Sequence, residues 1–596
     1  MHLHLQIPAP NRCDVTLGSA WDLHRRKAAI AKNRTLKRES GRSGQKYAWN
    51  PSFKIPFTFH NYDLIFAGDA MASPITTNTS YNHKKAEIHL EISSDPTTGH
   101  TLRHFDHGNN SMDDEAMRRL GKTQELDRNF NWFHTLAFTT VIMATWEILL
   151  LVNNQALANG GRPGFLYSYM WSVVGFAPIV LSLAEMSSMA PTSGGQYHWV
   201  SEFAPKQFQR FLSYMTGWMS VLSWQSNSAA AGFLASATIQ VLVYTNDPTA
   251  PDPDPWTIRW QGTLLSIVAL ILVAAANIWA TRLLPATQYL LFFVHTAGYI
   301  SLITLFWVLP KKHVSASEVF GQFENIADWS SIGLALMVGQ ISAAYALISA
   351  DAAAHLSEEV KDAGLTVPRS MVRAFLINVV MGLLLIISFL FAMPNVYDAI
   401  NYAGGTFSFY YVYTQMMNEA GVNGVSIIGI ILLIGGNLNI NVSTARQTFA
   451  FARDNGLPFS EWISKVHRKS HVPRNAIYTS LIISIALNLV NLGSTSAFQA
   501  MISLQLSSIM LTYCVSISCI LHRRLQAQHS SSDLSLALPS ARWSLGKWGP
   551  LINTLAIFYS GFVFFWSFWP VTRKVDMESM NYAVVIFGGV VFLALG

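Results

Sequence analysis

Polar and apolar positions divide this chain into two regimes. The first 130 residues mix charged, polar and small residues without a long apolar stretch. Beyond them, continuous apolar runs follow one another, separated by short polar segments. A hydrocarbon core about 30 Å thick needs about 20 helical residues. Windows of that kind lie at 134–156, 164–187, 211–244, 262–280, 289–309, 332–349, 372–392, 425–442, 477–492, 500–521, 551–569 and 582–596. They predict an all-α polytopic membrane protein with 12 transmembrane helices. The runs are continuous and not alternating, which excludes a transmembrane β-barrel. The third window is longer than a bilayer requires, so its helix should tilt or extend beyond the lipid.

Composition supports this reading. Of 596 residues, 51% are hydrophobic and 12% charged, against about 25% charged in soluble chains. Mean hydropathy is +0.27 despite the polar start. The 18 tryptophans suit rings anchored at two membrane interfaces. Cys13, Cys514 and Cys519 offer neither a disulfide framework nor zinc spacing. The net charge of +6 reflects loops facing anionic lipid and is no nucleic-acid signature. No cofactor glycine motif, metal cluster or nucleophile constellation stands out, so neither an enzyme nor a cofactor is expected.

Lys and Arg set the orientation. With the N-terminus inside, cytoplasmic loops hold Lys206, Arg210, Arg282, Lys361, Arg369, Arg373, Arg446, Arg453, Lys465, Arg468, Lys469, Arg474, Arg523, Arg524, Arg542 and Lys547. Outer loops hold only Arg162, Arg259, Lys311, Lys312, Arg573 and Lys574. Both termini are therefore expected in the cytoplasm. Residues 1–130 read as a disordered cytoplasmic tail or as an upstream extension of the gene model, with Met71 or Met112 as the true start. Residues 131–596 read as the membrane domain. It stops at Gly596 inside an apolar run, as a truncated chain would.

Ionisable groups within apolar helices are costly and mark functional candidates. Glu147 lies in the first window, His295 in the fifth, and Asp351 and His355 at the end of the sixth. His295 reads either as a hydrogen-bonded core histidine or as a proton carrier. Glu185, ending the second window, reads as a structural pair. Glu358 and Glu359 read as a solvated loop.

The segment Glu185-Met-Ser-Ser-Met-Ala-Pro191-Thr-Ser-Gly194-Gly195-Gln196-Tyr197 is the most distinctive. It resembles the loop between helices 2 and 3 in permeases of the amino acid–polyamine–organocation superfamily. Gly217-Trp218 with Trp224-Gln225 resembles the third helix of the fungal amino acid/choline permease family (the GABA/choline type). So does Asp351-Ala-Ala-Ala-His355-Leu-Ser-Glu358-Glu359-Val360, running on to Val367-Pro368-Arg369. So too do Ser443-Thr444-Ala445-Arg446 and Phe451-Ala452-Arg453-Asp454-Asn455-Gly456-Leu457-Pro458. Four separated motifs in order carry the resemblance, which covers about Met112 to the end.

The resemblance implies two inverted repeats of five helices plus two further helices, with helices 1 and 6 broken at the midplane around the substrate. Half-helix N-termini would receive a carboxylate there. On this chain the breaks fall near Thr139 to Thr145 and Ser342 to Asp351. The sequence departs from the family at Ala137 and Ser349, where Gly is usual and unwinding is easier. Thr139, Thr140, Met143, Thr145, Trp146, Ser342, Tyr345 and Ser349 are the candidate substrate-binding residues. Glu147, His295 and Asp351 are the coupling candidates. A quaternary amine such as choline would call for an aromatic cage from Trp146, Trp218, Trp224 and Tyr345. An amino acid or GABA would place its ammonium on Glu147 or Asp351. Proton-driven import across the plasma membrane is the implied function. A transport-deficient nutrient sensor of the same fold is the alternative.

Overall fold

The structure, a computed structural model, describes residues 111–247, 259–402, 407–493, 497–529, 537–577 and 579–595. All belong to the second of two compact units, Leu64–Gly596. Most of the predicted tail lies outside them. The described residues are helical, with one isolated β-bridge between Phe130 and Val360.

In chain order the principal helices are α1 (Ser111–Arg119), α2 (Trp132–Met143), α3 (Thr145–Leu151), α4 (Gly161–Met189), α5 (Gln196–Phe203) and α6 (Gln209–Thr245). Then come α7 (Arg259–Trp279), α8 (Leu284–Val308), α9 (Ile332–Tyr345), α10 (Ala352–His355), α11 (Ala363–Ala392) and α12 (Glu419–Arg453). The series ends with α13 (Arg474–Leu489), α14 (Ala497–His529), α15 (Gly549–Trp566) and α16 (Ala583–Leu595). Among the described residues, ten segments are long and apolar enough to cross a membrane, the first running Trp132–Ala158. The windows 332–349 and 582–596 give shorter apolar helices, α9 and α16. Helix α9 is short because the chain unwinds after Tyr345. The third window indeed gives a long helix, the 37 residues of α6.

Lipid does not drive helices together, so close approach must come from small residues and hydrogen bonds. Gly382 of α11 lies under the Tyr169 ring of α4, where a Cβ would come within 2.3 Å of the hydroxyl. That hydroxyl donates to the Val379 carbonyl at 3.0 Å. Helix α6 packs on α12 and α14, while α11 packs on α2 and α4.

Residues 111–130 differ from the tail reading: they are folded onto the helices. Both carboxylate oxygens of Asp113 accept backbone N–H bonds, from Asp362 at 2.7 Å and Ala363 at 3.0 Å, capping α11. Leu120, Leu126 and Phe130 are buried. The Phe130 N–H donates to the Glu359 carbonyl at 3.0 Å, and the Lys361 N–H returns to the Phe130 carbonyl at 2.9 Å.

Candidate functional site

The first predicted break falls at one residue. Ala144 sits in the left-handed region (φ 44°, ψ 36°), ending α2 and starting α3. Asn131 caps the lower half, its side-chain oxygen accepting from Phe133 N at 3.0 Å and His134 N at 2.9 Å. Asn378 of α11 bridges the break. Its Oδ1 accepts from the Thr145 N–H and its Nδ2 donates to the Thr140 carbonyl, both at 3.2 Å. The Thr145 N–H is the group that the break would otherwise leave unpaired in an apolar setting; the Thr140 carbonyl also accepts from the Ala144 N–H at 3.3 Å. The second break covers residues 346–351 between α9 and α10. Ser349, noted above for replacing Gly, is left-handed there (φ 73°). The first strained position is Ala144 and not Ala137, which lies inside α2.

A cavity lies between the breaks, bordered by Met143, Ala144, Glu147, Tyr345, Ser349 and the amides Asn227, Asn437 and Gln505, among others. Four candidates therefore meet there: Met143, Glu147, Tyr345 and Ser349. Thr139 and Thr140 are buried but turn their hydroxyls back to the Thr135 and Leu136 carbonyls, at 2.7 and 2.8 Å. Thr145 and Ser342 are buried with unpartnered hydroxyls and do not border the cavity. Trp146 faces the opposite side, packed on His295 and Tyr299. The cage does not assemble: Trp224 packs edge-on against His355 and Trp218 against Tyr214.

Glu147 and His295 form one unit. His295 Nδ1 lies 2.6 Å from Glu147 Oε1, with both side chains buried. The other oxygen, Glu147 Oε2, and His295 Nε2 have no partner. Asp351 is separate from this pair. Its carboxylate accepts from Gln196 Nε2 at 2.6 Å and from the Tyr513 hydroxyl at 2.7 Å, with His355 Nε2 at 3.5 Å. It therefore stitches α5, α10 and α14 and does not border the cavity.

Sequence reasoning passed over the three amides. Both side-chain polar atoms of Asn437 are buried and unpartnered, as is Gln505 Oε1. They sit in the long apolar helices α12 and α14, and a search confined to ionisable groups steps over them. Asn227 Nδ2 reaches Ser349 Oγ at 3.5 Å.

Toward the face where α1 lies, a belt of ion pairs joins the helix ends. Glu358 and Glu359 are not a solvated loop: they are 1% and 6% exposed. Arg453 grips Glu358 with two bonds of 2.9 and 2.8 Å, and Ser193 N adds a third at 3.1 Å. Arg446 holds Glu359 at 2.6 Å. Lys122 pairs with Asp454, which also accepts from the Tyr197 hydroxyl at 3.1 Å. Burial alone would raise the Glu358 carboxyl. The Arg453 charge, its hydrogen bonds and the Ser193 N–H outweigh this and hold it below its ordinary 4.5. Glu185 is a structural pair, bound to Arg524 and accepting from Leu545 N at 2.9 Å.

A family profile described as amino acid permease matches residues 130–592. A candidate amino acid/polyamine transporter of Macrophomina phaseolina is 28% identical, covering 75% of this chain and 96% of that protein. The amino-acid permease BAT1 homolog of Oryza sativa subsp. japonica is 27% identical over 80% and 92%. Amino-acid permease 2 of Neurospora crassa is 24% identical over 81% and 86%. These relatives are named as permeases or transporters and lend no support to a sensor.

Proposed function

The chain belongs to the amino acid permease family of multi-pass membrane transporters, and on that premise we propose that it imports a small amino acid or related amine by proton-coupled alternating access. The carrying observation is the pair of left-handed breaks, Ala144 and Ser349, on either side of one buried cavity. Unwound backbone of this kind can receive a substrate carboxylate or ammonium. In this reading α2 and α3 are helix 1, and α9 and α10 are helix 6, of a 12-helix, five-plus-five inverted-repeat fold. Both termini face the cytoplasm of a cell whose plasma membrane holds the protein.

The cavity lining favours an amino acid over a quaternary amine. It offers a carboxylate, three amides and one tyrosine ring, and no converging rings. Glu147 is the residue whose charge follows the cycle. Its pairing with His295 provides a route for one proton between two buried groups with free atoms on their far sides. Substrate bound at the breaks would sit within reach of this pair.

The test is uptake of labelled amino acids, GABA and choline in cells lacking their own permeases, at pH 5 and pH 7.5. Amino acid uptake that is stronger at pH 5 is expected. Glu147→Gln is expected to abolish accumulation with surface expression retained. Wild-type accumulation by that variant would remove Glu147 from the coupling step. No uptake of any solute, with protein at the membrane, would overturn the transport reading.

A further inference from the structure

Glu147 borders a second space on the side away from the breaks. This crevice runs between α3, α8 and α12, under the helix Ser408–Met416. Trp146, Glu147 and Leu150 form its buried floor, and Ser301 and Ile428 form its exposed rim. Around that rim the surface is apolar: Phe293, Ile300, Ile427 and Ile431 are each at least half exposed. On a membrane-spanning helix such residues face acyl chains, so the crevice opens sideways into the bilayer. Its walls are almost wholly apolar, yet its floor carries an unpartnered carboxylate oxygen. Glu147 is 6% exposed, and its Oε2 has no hydrogen-bond partner. Trp146 Nε1 and the Tyr299 hydroxyl beside it are unpartnered as well.

An apolar channel ending in one unpartnered carboxylate oxygen selects for an N–H-donating cation on an apolar tail. A free amino acid leaves the walls unfilled, and a fatty acid would bring two carboxylates together. We propose that this crevice binds a long-chain primary amine drawn from the bilayer, its ammonium on Glu147 Oε2 beside the Trp146 ring and its chain along α8 and α12. Such a ligand would pin the carboxylate that the transport reading needs free, and so inhibit the permease without entering the cavity between the breaks.

Gly429 provides a test of the tail. A Cβ built there meets nothing within 4 Å, so a larger side chain enters the crevice without disturbing α12. The experiment measures thermal unfolding of the full chain in phosphatidylcholine nanodiscs with dodecylamine or dodecanol, for wild type, Gly429→Leu and Glu147→Gln. Dodecylamine is expected to raise the wild-type midpoint by at least about 2 °C at saturation. Dodecanol is expected to leave it unchanged, and both variants to lose the amine shift. An equal shift with dodecanol, or an amine shift retained in either variant, would overturn the proposal. This readout does not depend on uptake. A shift with these properties in a protein that transports nothing would overturn the transport reading alone.

Discussion

Replacing Glu358 with Gln is expected to open the protein on the face where α1 lies. In the closed arrangement Glu358 accepts three hydrogen bonds, two from the Arg453 guanidinium and one from Ser193 N. Glutamine removes the charge and turns an N–H₂ toward the guanidinium. Breaking a buried pair by removing one partner costs about 3–5 kcal/mol. Arg453 is 14% exposed, which favours the low end, about 3 kcal/mol. In an arrangement open on this face both groups meet water, so the loss falls on the closed state alone. That moves the closed–open equilibrium roughly 150-fold. The reporter is Ser443→Cys, on α12 three residues before Arg446 and buried with an unpartnered hydroxyl. Cys13, Cys514 and Cys519 are replaced first. Its reaction with a charged thiol reagent applied from that face is expected to accelerate about 100-fold with Glu358→Gln. A rate within about twofold of the parent would refute the view that this pair holds the path closed. The pH dependence follows from the depressed carboxyl. Its stabilisation is fully present above the ordinary 4.5 and fades as pH falls through the lower folded value. Divided by the thiolate fraction of the reporter, which itself rises with pH, the labelling rate of the parent should therefore be flat from about pH 5.5 to 8.

Three further outcomes follow. Ala144→Gly should leave the unfolding midpoint unchanged or raised, because φ 44° suits glycine, whereas Ala144→Val should cost about 1–2 kcal/mol; a loss with Gly like that of an ordinary helix interior would place the break elsewhere. Asn378→Leu strands the buried Thr145 N–H and should lower stability by about 1–3 kcal/mol while reducing uptake, measured as midpoint and initial rate. Asp113→Ala removes two bonds at the start of α11 and should cost about 1–2 kcal/mol, with faster amide exchange across residues 111–119 as its local signature.

The helices were legible because a membrane imposes a length and an apolar content: among the described residues ten of the twelve windows gave segments that meet both, and two gave shorter apolar helices. Their ends were less so. The window at 372 began nine residues after the true start of α11, because Pro368 and Arg369 interrupt the apolar signal there. Ser349 was marked by the resemblance, which has Gly at that position; the first break was expected within 139–145, but Ala144 could not be singled out there, since alanine carries no mark of a left-handed backbone. Glu147 and His295 were each visible as buried ionisable groups. Their pairing was not, because 148 residues separate them and only the packing of α3 on α8 joins them. Glu358 looked solvated because its partner, Arg453, is 95 positions away. Asn378, Asn437 and Gln505 were missed because a neutral amide in an apolar helix costs little enough to escape a search for charge, though it too needs a partner.

In the proposed transport cycle, the two backbone bonds between Phe130 and the segment 359–361 would act as a crank between α2 and the stretch that follows α10. A swing of α2 drags the stretch that carries Glu358 and Glu359, and with it the gripping of both arginines. The two half-helices on this face then share a single degree of freedom. Unlatching and tilting become one stroke, and an intermediate with the ion pairs released but α2 still seated is denied a stable resting place. In a carrier, that is the intermediate through which solute or protons would leak.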